Sequence, residues 1–275
     1  MKSNNDYIIN NKCAPANIEN IAENGTCFST NIILKLAKEL KIDTNTNTFT
    51  IVKNIEKALS NKYKCSNHEC LKELPIFEKL NIDIKNIFRP NGPNKKYGWL
   101  STIHINDVLE QYEYKNTDFL FLGAVPYDFE DLKMLNLYNI NFNELKNNNK
   151  TKLGMVINLD EHYKNGSHWV GLYIDLLNYK VYFFDSVGKP PRKRIKHFIS
   201  KIKKYFTNDL YIKYEKPQFK YNNIQHQFKN SECGVYSINF IIRLLNGETF
   251  KSIINNRLND DKINTCRKVY FSNVN

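Results

Sequence analysis

Four residues of this chain have types that could form one hydrolytic centre: His168, Asp185, Gln227 and Cys233. A cysteine attacks a carbonyl as the thiolate, so it needs a base within hydrogen-bond reach. A histidine serves as that base when a carboxylate fixes its tautomer and orientation. The tetrahedral intermediate that follows needs donors for its oxyanion, which a Gln side-chain amide and the Cys backbone N–H can supply. Each residue alone has a plainer reading: a small cysteine on a core helix, a histidine at a strand start, an aspartate capping a turn. The elements around them decide whether they can meet.

A polar loop over residues 225–232 runs into Cys233-Gly234. Apolar residues then recur at 235, 238, 241, 242 and 245, and Gly247 is a plausible C-terminal stop, which predicts a buried helix. Cys233 falls in its first turn, where the positive end of the helix dipole favours a thiolate. Residues 168–176 and 180–185 read as two strands turning at Leu177-Asn178. In such a hairpin the numbers of opposed residues sum to about 355. His168 then lies opposite Val187, and Asp185 sits one diagonal step away on the same face.

The rest of the second half supports that hairpin. Residues 153–159 alternate apolar positions as a strand should, and 119–126 and 210–214 read as further short strands. Residues 192–206 form a basic amphipathic pattern. Trp99-Leu100 precedes a helix expected to be capped near Asn106 and to carry Val108, Leu109 and Tyr112. Residues 127–145 suggest a helix and an irregular, Asn-rich stretch. The N-terminal part, up to about residue 90, reads as mostly helical. Ser29-Thr30 could cap a helix with Ile33, Leu36, Ala37 and Leu40 on one face, and further helices are expected over 49–59 and 69–74. The turn-rich segment 89–94 marks the boundary between an arm, 1–90, and a core, 91–275.

At 275 residues the chain can hold one large domain with an appendage. The formal net charge is +12, which suggests a polyanionic neighbour such as nucleic acid, or an acidic substrate. A solvated lysine-rich surface accounts for the charge equally well. No apolar run is long enough to span a membrane, and the first residues do not form a signal peptide, so a soluble intracellular protein is expected. The six cysteines show no disulfide-framework spacing and are expected to be free thiols. The Cys65–Cys70 stretch is too loosely spaced for zinc and lacks a second ligand pair, so it is read as structural.

His-Trp on a strand, Asp at the end of the next strand, and Gln-x5-Cys-Gly opening a helix resemble the ubiquitin-like-protein-specific cysteine proteases and the adenovirus maturation protease. Trp99-Leu100 ahead of a helix resembles the Trp-Leu-Asn-Asp element of the cellular desumoylating enzymes, with Ser101-Thr102 departing from it. Across most of its length the chain is similar to the SUMO-protease-like polyprotein-processing enzymes of large DNA viruses such as African swine fever virus. His168-Trp169, the Asp185-Ser186-Val187-Gly188 turn before Pro190-Pro191, and the run from His226-Gln227 to Glu232-Cys233-Gly234 carry that similarity. The swine fever enzyme has Asn where this chain has Asp185.

The resemblance implies an α+β fold: a papain-like cysteine protease core of the desumoylase and adenovirus protease type, a central mixed sheet flanked by helices, with an N-terminal helical arm. It implies a thiol endopeptidase cutting after Gly-Gly in viral structural polyproteins during virion maturation, in the host cytoplasm and the virion, with no cofactor and no metal. Trp99 and Trp169, the chain's two tryptophans, fall where the family forms a tunnel admitting only glycine. A flat indole over an extended backbone excludes any Cβ, which gives that selectivity. Three rivals remain: a protease acting on host ubiquitin-like conjugates, an acetyltransferase of the same clan, and a basic nucleic-acid-binding virion protein. Asp185 and the two tryptophans argue against the acetyltransferase, which usually carries Glu at the third position and needs a CoA pocket.

Overall fold

Helical periodicity organises the first unit of the chain, Met1–Asn91, and strand alternation organises the second, Gly92–Asn275. The computed structural model describes residues 12–65, 68–208 and 216–274. The first unit holds α1 (Asn20–Asn24), α2 (Thr30–Glu39), α3 (Thr48–Tyr63), α4 (His68–Lys72) and α5 (Pro75–Lys79). Ile33, Leu36 and Ala37 on α2 are buried with Ile51, Val52, Ile55 and Leu59 on α3, around Phe28, Phe77 and Phe88. Each large apolar side chain so buried contributes about 1.5–3 kcal/mol. Asn47 caps α3 by accepting the Thr50 N–H at 2.9 Å.

The expectation of free thiols fails in this unit. Cys13 is bridged to Cys27, with their Cα atoms 5.2 Å apart, and Cys65 is bridged to Cys70. The first pairing is a tertiary effect that spacing does not reveal. Cys13 pairs with Phe88 in an isolated β-bridge, and its carbonyl accepts from Arg89 Nε at 3.1 Å. These contacts hold Cys13 within the Cα separation a disulfide requires. Among the described residues Cys233 and Cys266 remain as free thiols.

The second unit runs α6 (Thr102–Lys115), β1 (Phe119–Val125), α7 (Phe142–Asn147), β2 (Lys152–Asn158), β3 (Trp169–Asp175), β4 (Lys180–Phe184), α8 (Lys193–Asn208), β5 (Gln218–Tyr221), α9 (Cys233–Leu245), α10 (Phe250–Asn255), α11 (Asp260–Thr265) and α12 (Arg267–Tyr270). The strands form one mixed sheet in the order β1-β2-β3-β4-β5. The outer pairs β1–β2 and β4–β5 are parallel, and β2–β3 and β3–β4 are antiparallel. Alternate residues of the sheet face two cores. Val156, Tyr173, Tyr182 and Phe184 pack with α9 and α6 on one side. Leu153, Met155, Ile157, Leu172, Ile174 and Phe183 pack with Ile195, Phe198, Ile199, Ile202 and Phe206 of α8 on the other. Strands β2 and β3 are thus covered on both faces, and the architecture is α+β, as the sequence implied.

Several boundaries differ from the sequence reading. Helix α6 starts at Thr102, not near Asn106, because Ser101 forms a capping box with His104. Asn106 instead accepts the Ala124 N–H at 2.8 Å, tying α6 to β1. The 127–145 stretch contains a short 3-10 turn, Lys133–Leu135, and only the start of α7. Strand β5 and helices α10 to α12 were not foreseen. The strand expected over 210–214 lies outside the described residues. Among the described residues, no helix is long and apolar enough to cross a membrane.

Candidate active site

The β3–β4 hairpin has the expected register: Gly171 opposes Phe184, Tyr173 opposes Tyr182, and Asp175 opposes Lys180. The connection is four residues, 176–179, where two were expected. Asp175 shapes it by accepting the N–H groups of Leu177 and Asn178 at 3.1 and 2.9 Å. The register brings His168, just before β3, to Asp185, just after β4. His168 Nε2 and Asp185 Oδ1 are 2.7 Å apart. With Nε2 committed to the carboxylate, Nδ1 is the ring nitrogen left for a nucleophile.

Asp185 is 2 % exposed and firmly held. Its Oδ1 also accepts the Val187 N–H at 3.0 Å. Asn222, directly after β5, clamps its backbone: Asn222 Oδ1 accepts the Asp185 N–H at 2.8 Å, and Asn222 Nδ2 donates to the Asp185 carbonyl at 2.7 Å. Parallel pairing of β5 with β4 puts Asn222 there. Asn222 is a positioning residue that the sequence reading missed. An Asn following an exposed edge strand gives little local signal.

Cys233 opens α9 and is 1 % exposed. Its thiol lies close enough to His168 to favour charge on that ring. Burial acts against charge on the His168 ring. The hydrogen bonds to Asp185 and Cys233 and their negative charge outweigh it, and push His168 up to about 9 from an ordinary 6.5. An imidazolium at neutral pH beside the thiol is the partner a thiolate nucleophile needs. Gly234 packs closely: a Cβ there would lie 3.0 Å from the Leu100 Cβ. Leu100 in turn receives the Trp169 indole N–H on its carbonyl at 2.9 Å. The nucleophile helix, the Trp99-Leu100 segment and the start of β3 therefore meet at one point.

Gln227 is 4 % exposed, and its amide is oriented from both ends. The Ser186 hydroxyl donates to Oε1 at 2.6 Å, and Nε2 donates to the Lys229 carbonyl at 2.8 Å. An amide has two N–H groups, so one hydrogen on Nε2 stays available for an oxyanion. The Ser186 carbonyl also accepts the His226 and Gln227 N–H groups at 2.8 and 2.9 Å. This interlocks the 185–188 turn with the 224–227 loop. Gly188, at φ +75°, permits the close approach, since a Cβ would lie 2.9 Å from the Ile224 carbonyl carbon. Farther along, Asp260 accepts the N–H groups of Phe228 and Lys229 at 2.8 and 2.9 Å and so fixes the loop before Cys233. Ser186 and Asp260 were also missed, because only the folded loops show what they bind.

With these parts the centre can carry out acyl transfer. In that reaction the Cys233 thiolate would attack a carbonyl, the Gln227 amide and the Cys233 N–H would receive the oxyanion, and His168 would give its proton to the leaving amine. Water would then release the acyl group with His168 as base. Replacing Gln227 by Ala should lower kcat by about 10²–10³ while leaving KM for a small substrate nearly unchanged, since the donor acts in the transition state. Steady-state kinetics on the purified variant measures this. A fall below about fivefold would remove Gln227 from the oxyanion site.

Trp99 and Trp169 line one cleft of about 580 Å³ together with Leu100, Ser101, Met134, Asp160 and Gly166. Trp169 is buried at 6 % exposure, whereas Trp99 is 44 % exposed. The loop between β2 and β3 forms part of this wall. It is anchored where Asp128 accepts the His162 N–H at 2.9 Å and faces His162 Nδ1 at 2.6 Å.

Residues 135–274 match the model of the Ulp1 protease family, C-terminal catalytic domain. A protein of Acanthamoeba polyphaga mimivirus, named as a thiol protease, is 35% identical over 292 residues, covering 96% of this chain and 94% of the relative. A SUMO-1 cysteine protease of African swine fever virus is 23% identical over 206 residues, covering 70% of this chain and 74% of that one. The crystal structure of an African swine fever virus protease superposes with a TM-score of 0.66 at 20% identity, covering 95% of this chain and 96% of that chain. The fold is the α+β papain-like core of that protease type. Since the family match takes in the β3–β4 hairpin, the loop that carries Gln227 and helix α9, the chain belongs to the Ulp1 protease family and is a cysteine protease.

Proposed function

We propose that this protease cuts after Gly-Gly in extended segments of viral structural polyproteins during virion maturation, acting in the host cytoplasm and the virion. The observation that carries the reading is the pairing of Trp99 and Trp169 along one cleft, with the Trp169 indole bonded to Leu100 beside Cys233. A flat indole over an extended substrate backbone favours residues without a Cβ, because a side chain next to the scissile bond would meet its face. The family relation to viral proteases supports a viral substrate.

The test is a peptide panel with Gly-Gly-Ala, Gly-Gly-Gly, Gly-Ala-Ala and Ala-Ala-Ala centres. Gly-Gly centres should be cut at least about 100-fold faster than centres with Ala before the scissile bond. Equal cleavage of all four would sink the glycine reading. The name of the swine fever relative favours a second reading, a protease acting on ubiquitin-like conjugates. Cleavage of a folded ubiquitin-like fusion, with the peptides left intact, would put that reading first.

A further inference from the structure

The mechanism above does not use Arg267, yet this is one of the largest fully buried side chains, at 1 % exposure. Its donors are spread over three acceptors. Nε donates to Asn264 Oδ1 at 2.9 Å, Nη1 to the Gly98 carbonyl at 2.8 Å, and Nη2 to the Ser231 carbonyl at 3.1 Å. Gly98 immediately precedes Trp99, and Ser231 lies two residues before Cys233. One planar guanidinium therefore joins the Trp99 wall to the turn that presents the nucleophile. On the far side of Trp99 the Leu100 carbonyl is held by the Trp169 indole. Trp99 itself stays half exposed between these two fixed carbonyls.

A carboxylate lies one side chain away. Glu232, 2 % exposed, accepts the Ser231 N–H at 2.8 Å and Asn264 Nδ2 at 2.9 Å, so Asn264 links the carboxylate to Arg267. Burial works against the guanidinium charge, while Glu232 and the Cys233 sulfur favour it. A buried cation is costly unless its donors are satisfied, and here Nε, Nη1 and Nη2 each reach an acceptor, with Glu232 on the other side of Asn264. A fork of fixed donors can set the spacing of two carbonyls, which a single ammonium does not do.

We infer that Arg267 is a positioning residue of this active site: by bonding Gly98 and Ser231 together it sets the width of the gap between Trp99 and the nucleophile turn. The consequence for substrate rests on the proposed glycine-selective cleft. Arg267 touches no reacting atom. Its effect is to hold the wall against which the peptide is aligned.

The test compares Arg267→Lys and Arg267→Met with wild type in the full chain, by three readouts. KM for a Gly-Gly-Xaa peptide should rise about 30-fold, since a displacement of order 1 Å at a positioned substrate costs up to about 100-fold. Acrylamide quenching, dominated by the exposed Trp99, should at least roughly double as that segment loosens. Alkylation of Cys233 by iodoacetamide should stay within about threefold, because the pairing of His168 with Asp185 is untouched. Parallel losses of cleavage and alkylation with unchanged quenching would make Arg267 a general stabiliser and overturn the inference.

If neither variant folds, native-state hydrogen exchange of the wild type decides. Opening of segments 97–101 and 229–233 in one step with 264–270 supports the link, and separate earlier opening of 97–101 overturns it. If wild type leaves Gly-Gly peptides uncut, the specificity reading fails on its own, and quenching and alkylation still decide the role of Arg267.

Discussion

Replacing Cys233 with Ser should lower kcat/KM by about 10⁵–10⁶, to near background, with no loss of fold. The sulfur and oxygen side chains are nearly the same shape, so the buried N-terminus of α9 should accept the change. What is lost is acidity. A serine hydroxyl does not give up its proton to an imidazole in the ground state, so no stable anion–imidazolium pair forms. The measurement is kinetic, with thermal unfolding as the control for folding. Thiol labelling supplies an independent check, because Cys266 is an internal reference. Cys266 is partly exposed, burial pushes its thiol up, and its sulfur meets the Asn239 amide and the Lys262 carbonyl rather than an imidazole. Cys233 should react with iodoacetamide faster than Cys266 in wild type and lose that advantage in His168→Ala. More than about 1 % residual activity in Cys233→Ser would place the nucleophile elsewhere.

The placement of the candidate residues was legible because they sit on elements whose period shows in the sequence. His168 and Asp185 flank strands that alternate, and an antiparallel hairpin converts a sum of residue numbers into proximity. An error in loop length left the register intact, since lengthening the loop equally on both sides preserves the sum. Cys233 opens a helix with clear 3.6-residue spacing. The supports were less legible. Strand β5 is only four residues long, mostly exposed and paired in parallel across the whole of α8, so its brief Phe219–Tyr221 alternation marks neither it nor the Asn222 that follows. The start of α6 was misplaced because its capping box uses His104 where Glu or Gln is the usual sign. The Cys13–Cys27 bridge depends on contacts with Phe88 and Arg89, far along the chain. Ser186 and Asp260 are informative only once two loops are seen to interlock. Period and spacing thus placed the four candidate groups, while the residues that orient them came from tertiary contacts.

Changing Asp185 should separate orientation from charge. In Asp185→Ala the His168 ring loses the carboxylate that holds Nε2, and kcat/KM should fall by about 10³. In Asp185→Asn the loss should be about tenfold or less. Two donors, His168 Nε2–H and the Val187 N–H, converge on Oδ1, and this forces the new amide to place its oxygen there. The ring then keeps the tautomer that leaves Nδ1 toward Cys233. The charge effect should appear in the pH profile. His168 is raised to about 9 in wild type, after burial has been outweighed by the hydrogen bonds and charges of Asp185 and Cys233. The imidazolium form is therefore the one the fold favours. Its contribution to stability is full below the ordinary value near 6.5 and is lost as pH rises through about 9. Activity should follow the same limb, since the pair loses its general acid once His168 deprotonates. Removing the carboxylate charge should move that alkaline limb to lower pH in Asp185→Asn, even though most of the activity at neutral pH survives. Equal losses in the two variants, or an alkaline limb that does not move, would show that Asp185 neither orients nor charges the base.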